Sequence, residues 1–333
     1  MKVVARPVIA ANVDAVSKKT PAATTMPVTT SKSTAVSNAV TPELPKVKVD
    51  VDALSRQTGG DRRWSPIQLA TTSTHQKART EKPDSYPARV AVDDAHVSWH
   101  VPLPGYAPTD FTDAKVIAAI GVWADPVDVK QKKGGFSSLV GPISTDTRGR
   151  PQNPMGRTGV EGRGLLGKWG ANPAGDPIVT KIDPKTGALS LLAIQRKDSG
   201  QWALPGGMVD AGESIFKTVA RELEEETGVK LNFDDAAHVY SGYVDDRRNT
   251  DNAWMETTVK HKHISARDAA KLTPKGQDDA MDAQWLTLDK AAVDGLYASH
   301  GSFVKLALTQ MLKDKSLPAA TRAQLRGILV EDT

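Results

Sequence analysis

The rhythm of apolar and polar positions changes twice along the chain. From residue 177 onward, short apolar runs alternate with turn residues. PIVTKI (177–182) and LSLLAIQR (189–196) flank a D-P-K-T-G turn, which predicts a β-hairpin. WALPGGM (202–208) reads as a short strand ending in glycines. ESIFKTVARELEEET (213–227) places Ile215, Phe216, Val219 and Leu223 at helical spacing, and Gly228 follows as a C-cap. HVYSGYV (238–244), AWMETTVKHKHI (253–264) and AQWLTL (283–288) predict strands; 301–314 and 318–330 predict helices. This mixture specifies an α/β (α+β) body over residues 176–333. Residues 81–175 lack long periodic stretches. Runs such as KVIAAIGVWADP lie between prolines and glycines, which predicts a small, turn-rich cap packing on the body. Its last segment, GRTGVEGRGLLGKWG (156–170), lacks the spacing of a P-loop and reads as a packed connector.

Residues 1–80 follow neither rhythm. Ser, Thr, Ala, Val and Pro dominate, and no aromatic residue precedes Trp64. Such a stretch buries too little apolar surface to offset its ordering entropy, so a disordered tail is expected.

Charge refines this division. The net charge of +4 is unevenly spread: residues 1–80 hold 12 basic and 5 acidic side chains, the remainder 31 and 34. A mildly acidic body argues against a nucleic-acid partner. No apolar run reaches membrane-spanning length, so no membrane partner is expected. The basic, hydroxyl-rich tail is compatible with a mitochondrial transit peptide or a type III secretion leader, and equally with a plain solvated tail on a cytoplasmic protein. The chain has no cysteine, which excludes disulfides, zinc–cysteine sites and thiol nucleophiles. Oligomeric state is not encoded in these patterns; a monomer is the expectation.

The candidate chemistry lies on the helix at 213–227. Glu222, Glu225 and Glu226 stand at i, i+3 and i+4 and share one face. Clustered carboxylates are destabilising unless neutralised, and a hard divalent cation with oxygen ligands does this. Arg221 is placed to pair with Glu213. Taken alone, three such glutamates also fit a solvated helix face. The wider spacing goes further: Gly207, five residues, Glu213, seven residues, then Arg221-Glu222-Leu223-Glu224-Glu225-Glu226-Thr227-Gly228-Val229. This resembles the Nudix box at every position. The resemblance implies the Nudix fold, a mixed β-sheet between helices, and hydrolysis of a nucleoside diphosphate linked to another group. It also implies that Glu222, Glu225, Glu226 and the Gly207 carbonyl are metal ligands for Mg2+, with Mn2+ a substitute. Glu213 and Arg221 are implied as supporting residues of the catalytic site.

Further stretches are similar to one subfamily, that of the animal mitochondrial-type ADP-ribose pyrophosphatase and the ADP-ribose-binding domain of the melastatin-type channel. They are GRGLLGKWG, DPIVT, WALPGGMVDAGE, YSGYVDDRRNTDNAWMET (240–257) and LYASH (296–300), within a similarity spanning about residues 85–310. The implied reaction is Mg-dependent hydrolysis of ADP-ribose to AMP and ribose 5-phosphate. Asp246, Arg248, Tyr297 and Ser299 are the implied substrate contacts, and His300 is either part of that motif or a structural histidine. The general base is a box glutamate, such as Glu225 or Glu226, or a loop carboxylate, with Asp278 and Asp279 as candidates. Trp202 and Trp254 are read as core. Two alternatives stand beside this reading: a pyrophosphatase for another dinucleotide, such as NADH or a nucleotide sugar, and an ADP-ribose-binding module without turnover. The complete box favours turnover.

Overall fold

Strict alternation of side chains builds the centre of the molecule. In the computed structural model, which describes residues 75–210 and 212–330, Ile178 and Val179 point to opposite faces of one strand, as do Leu191 and Leu192 of its neighbour. In chain order the elements are α1 (Gln76–Thr80), β1 (Thr109–Thr112), α2 (Ala114–Ala118), β2 (Val160–Gly164), β3 (Gly170–Ile182), β4 (Leu189–Arg196), β5 (Trp202–Ala203), β6 (Gly207–Met208) and α3 (Ile215–Thr227). β7 (Ala237–Tyr243), β8 (Ala253–Ile264), α4 (Ala266–Ala269), β9 (Ala280–Thr287), α5 (Lys290–Asp294), α6 (His300–Met311) and α7 (Ala319–Leu329) follow.

Seven strands, β3 to β9, form one sheet. Its spine is β3 and β8, which run parallel from Gly170↔Ala253 to Lys181↔Ile264. The other pairings are antiparallel, so the sheet is mixed. On one face Val179 and Leu192 of the sheet pack with Val219 and Leu223 of α3 and with Phe233. On the other, Ile178, Leu191 and Val259 of the sheet pack with Val293 of α5, Phe303, Val304 and Leu308 of α6 and Leu325 of α7. The sheet thus lies between helices, as the sequence led one to expect. Trp254 is fully buried and Trp202 packs against the second cluster, both as core.

The hairpin predicted over 177–196 is β3–β4, and Asp183 closes its turn by accepting from the amides of Lys185 and Thr186. β3 starts at Gly170, seven residues before the apolar run, because its first half pairs with β6 and β8 instead of β4. β4 diverges from β3 beyond Leu191 and takes β5 as its partner at Ile194 and Gln195. The wedge between them is filled by the segment 202–208. That segment is two short strands, not one, since Pro205 between them has no N–H to give a ladder.

Two boundaries differ from expectation. Gln76–Thr80 is helical, with Ala78 fully buried, so the end of the stretch assigned to the tail belongs to the folded region. The reason is long-range: Asp245 accepts from the amides of Lys77 and Ala78, a cap that local composition does not reveal. Residues 1–74 lie outside the described residues. The division drawn between 175 and 176 falls inside β3. N-terminal to β3, β1 and β2 form a two-stranded parallel ladder in a turn-rich region. Among the described residues no helix is long and apolar enough to cross a membrane.

Candidate active site

The site is built where β3, the 204–210 turn and α3 meet. Gly175 on β3 lets α3 approach closely; a Cβ there would lie 3.0 Å from Val219 and 3.1 Å from Ile215. That approach carries the carboxylate face of α3 onto the glycine turn. A Cβ on Gly207 would lie 2.5 Å from Glu222 Oε1, so this position must be glycine while Glu222 lies where it does. Glu226 Oε2 accepts from the Gly206 amide at 2.9 Å.

Of the three glutamates, Glu222 and Glu226 are buried under the turn while Glu225 is exposed. The shared face of the i, i+3, i+4 spacing is therefore split by its surroundings. Arg221 organises the split. Its Nη1 donates to Glu222 Oε1 and Glu225 Oε2, both at 2.8 Å. Its Nη2 donates to Glu213 Oε2 and the Met208 carbonyl, each at 3.0 Å, and Nε donates to Glu213 Oε1. Thr218 Oγ1 also donates to Glu213. The Arg221 bonds hold the Glu213 carboxyl well below the usual range, at about 2. Glu213 and Arg221 thus tie loop to helix.

Burial acts oppositely on the carboxyls beneath the turn. It pushes Glu226 up to about 8, with Glu222 and Asp279 adding repulsion. It pushes Glu222 up to about 7 against the pull of Arg221. Asp176, from the start of the PIVTKI strand, is raised to about 6, although Thr257 Oγ1 donates to it at 2.6 Å. Asp176 was not singled out from sequence. It is a lone carboxylate on a strand, and only the fold places it against Gly206 and near Glu222.

This donor set is all oxygen and carries more negative charge than its single arginine offsets, which fits a hard divalent cation. Among the described residues, however, no group of three or more His, Asp or Glu side chains is disposed to hold a metal ion as it stands. The expected convergence of Glu222, Glu225 and Glu226 is absent because Arg221 engages Glu222 and Glu225.

A cavity of about 330 Å3 opens above the turn. Gly206, Gly207 and Asp176 form part of its wall, and Asp246, Arg248, Tyr297 and Ser299 line it too. The fold therefore brings together all four expected substrate contacts, from segments about fifty residues apart, beside the box glycine. Arg248 grips Asp246 as a fork, with Nε and Nη2 each 2.8 Å from a carboxylate oxygen. Burial opposes ionisation of Asp246, yet this fork holds it below its ordinary value. Arg196 also lines the cavity and lies over the Tyr297 ring at 4.4 Å. His300 is both a wall residue and structural: Nδ1 accepts from the Leu204 amide at 2.9 Å. Burial, with Arg196 nearby, lowers its pKa to about 3, so it is neutral and its other nitrogen carries the proton.

Asp278 and Asp279 do not line this cavity. Both are exposed before β9, and their carbonyls accept from Lys197. Asp279 reaches the site only through its field on Glu226. The neighbouring Gln277 amide donates to the Glu226 carbonyl, which docks this loop on the end of α3.

Two family models match the chain: the NUDIX domain over residues 174–307 and the NUDT9-like N-terminal domain over residues 92–170. A Caenorhabditis elegans protein bearing the name nudix hydrolase 6 is 42% identical over 254 residues, 70% of this chain and 96% of its own. The mitochondrial ADP-ribose pyrophosphatase of Rattus norvegicus is 38% identical over 274 residues, 70% of this chain and 77% of the rat protein. A transient receptor potential cation channel subfamily M member-like 2 of Nematostella vectensis is 38% identical over 280 residues; these make up 72% of this chain but 18% of the channel.

Proposed function

The chain belongs to the Nudix hydrolase family, and on that premise we propose that it hydrolyses ADP-ribose to AMP and ribose 5-phosphate with Mg2+. The observation that carries this reading is the single cavity in which Asp246, Arg248, Tyr297 and Ser299 stand beside the Gly206–Gly207 turn. The rat relative, an ADP-ribose pyrophosphatase by name, supports the choice of substrate.

Glu222, Glu226 and the Gly207 carbonyl would hold Mg2+, joined by Glu225 once Arg221 releases it. When bound, the ion neutralises charge on the diphosphate oxygens and activates water. The chain's own part is binding and orientation. Arg248 is a planar donor suited to phosphate, and Asp246 is held ionised as an acceptor for ribose hydroxyls. His300 offers a neutral N–H donor. Arg221 and Glu213 keep the 208–213 loop against α3, so that the carboxylates stay under the reacting phosphorus.

The test is product analysis after incubation with ADP-ribose and Mg2+. AMP and ribose 5-phosphate are expected, with loss of turnover in chelator and return on adding Mg2+ or Mn2+. A folded protein that releases no AMP would overturn the reading, and a panel including NADH and nucleotide sugars would then identify the substrate. Replacing Glu225 and Glu226 together by Gln is expected to lower kcat by about a thousandfold while sparing most binding. Equal turnover in wild type and double variant would refute the assignment of the box. For the residues that precede α1 we carry an addressing role, tested by fusing residues 1–74 to a reporter and following its destination.

A further inference from the structure

The residues that line the cavity do not hold themselves in place. Asp246 and Arg248 lie between β7 and β8, outside any helix or strand. What fixes them comes from the far end of the sequence. Tyr86, only 3% exposed, donates from its hydroxyl to the Arg248 carbonyl at 2.7 Å. The same hydroxyl accepts from the Leu165 amide at 2.8 Å, and Leu165 is another wall residue of the cavity. One oxygen therefore joins two walls. The fit admits nothing larger than glycine beside it: a Cβ on Gly164 would lie 1.9 Å from the Tyr86 hydroxyl. Three residues on, Arg89 Nη2 donates to the carbonyls of Arg247 and Asn249 at 2.7 and 3.0 Å. Together Tyr86 and Arg89 hold three consecutive carbonyls, from Arg247 to Asn249. The Tyr86 ring is itself braced by Phe111, with centroids 5.1 Å apart.

We propose that Tyr86 is a positioning residue for the substrate: by clamping the Arg248 carbonyl to the Leu165 amide, with Arg89 beside it, it sets where the Arg248–Asp246 fork meets the substrate's phosphate and ribose. The inference rests on the functional reading above. Tyr86 touches no reacting atom, so its removal acts on binding more than on the chemical step.

A matched control exists in the same region. Tyr106 has the same bonding pattern: its hydroxyl donates to Asp251 Oδ2 at 2.7 Å and accepts from the Gly159 amide at 3.0 Å. Tyr106 does not line the cavity and bonds neither Arg248 nor Leu165. A merely structural role would make Tyr86→Phe and Tyr106→Phe equivalent.

The experiment is steady-state kinetics on the full chain with ADP-ribose and Mg2+, with melting temperatures alongside. Tyr86→Phe is expected to raise KM about tenfold with kcat within about twofold, the size of one lost well-placed hydrogen bond. Arg89→Lys, which keeps charge but loses the fork, is expected to raise KM about threefold. Tyr106→Phe should lower the melting temperature but leave KM within about twofold of wild type. In an Arg248→Ala background, Tyr86→Phe should add less than about twofold, because the residue it positions is gone. The inference is overturned if KM is unchanged in both Tyr86→Phe and Arg89→Lys, if Tyr106→Phe raises KM equally, or if the full effect persists without Arg248. Should Tyr86→Phe not fold, the Arg89→Lys result decides. Wild-type turnover with unmoved KM in the variants refutes the positioning role alone. Wild type that binds without turnover refutes the hydrolase reading, and the Kd from calorimetry then replaces KM in the same comparison. Wild type that neither binds nor hydrolyses ADP-ribose refutes both.

Discussion

A methyl group at position 207 would have to share space with the Glu222 carboxylate, 2.5 Å away. Since the obstacle is the end of a side chain, the carboxylate gives way and the fold survives. Gly207→Ala is therefore expected to lower kcat by about ten- to a hundredfold while shifting the melting temperature by less than about 3 °C. Kinetics and thermal melts on the same preparation check this; unchanged kcat would show that Glu222 does not need its present place. At this scale the sequence was informative about residue types and spacing. Gly207, Glu213, Arg221 and the glutamates were all legible. The spacing did not reveal that Arg221 would draw Glu222 and Glu225 toward itself, leaving no ready-made three-carboxylate group among the described residues. A single arginine offers several donors, and which carboxylates it reaches depends on the path of the loop before it. Asp176 stayed hidden for a related reason: an isolated aspartate acquires meaning only from what the fold sets opposite it.

Elements bring such residues to their places. α3 lies on β3 because Gly175 leaves room for Val219, Ile215 and Thr218, with virtual Cβ distances of 3.0 to 3.2 Å. Gly175→Val would push helix from sheet. It is expected to cost about 1–3 kcal/mol in urea unfolding, with a parallel loss of activity as the carboxylates leave the turn. Retained activity at reduced stability would show that the helix position is not what sets the site. The longer strands and helices between 177 and 330 followed from periodicity, as did the helix stop at Gly228, whose φ of 70° and bond to the Glu224 carbonyl form the C-cap, whereas the short helices α4 and α5 did not. Periodicity did not show where β3 begins. Gly170 to Asp176 carry little apolar signal, yet they are strand because β8 and β6 satisfy their backbone groups. Nor did it show α1, which depends on Asp245 capping it across the fold.

Across the whole molecule, the polar loop 245–252 is the joint between the N-terminal region and the sheet. Although every side chain from 245 to 252 is polar or charged, Asn249, Thr250, Asp251 and Asn252 are nearly inaccessible. Asp251 accepts from the Thr158 amide and from the hydroxyls of Thr158 and Tyr106, and Asn252 accepts from the Gly162 amide. Buried histidines give the molecule an acid limit. Burial lowers His261 to about 4, and His75 and His300 to about 3. A base whose pKa falls on folding leaves stability unaffected above its unfolded value near 6.5 and removes it as pH drops toward the folded value. His261→Gln is therefore expected to lose about 2 kcal/mol less stability than wild type between pH 7 and pH 5, at about 1.4 kcal/mol per pH unit below 6.5. Urea titrations at the two pH values measure it, and equal losses would refute it. The sequence by itself determined the α/β class, the family and the carboxylate helix, because these depend on local periodicity and on residue types at fixed spacing. Only the tertiary structure decided which carboxylates are buried, how Asp246 and Arg248 come to line one cavity with Tyr297 and Ser299, and that the Tyr86 hydroxyl bonds the Arg248 carbonyl. Those relations join residues from 50 to more than 160 positions apart, and nothing in the intervening chain encodes the distance between them until the sheet is closed.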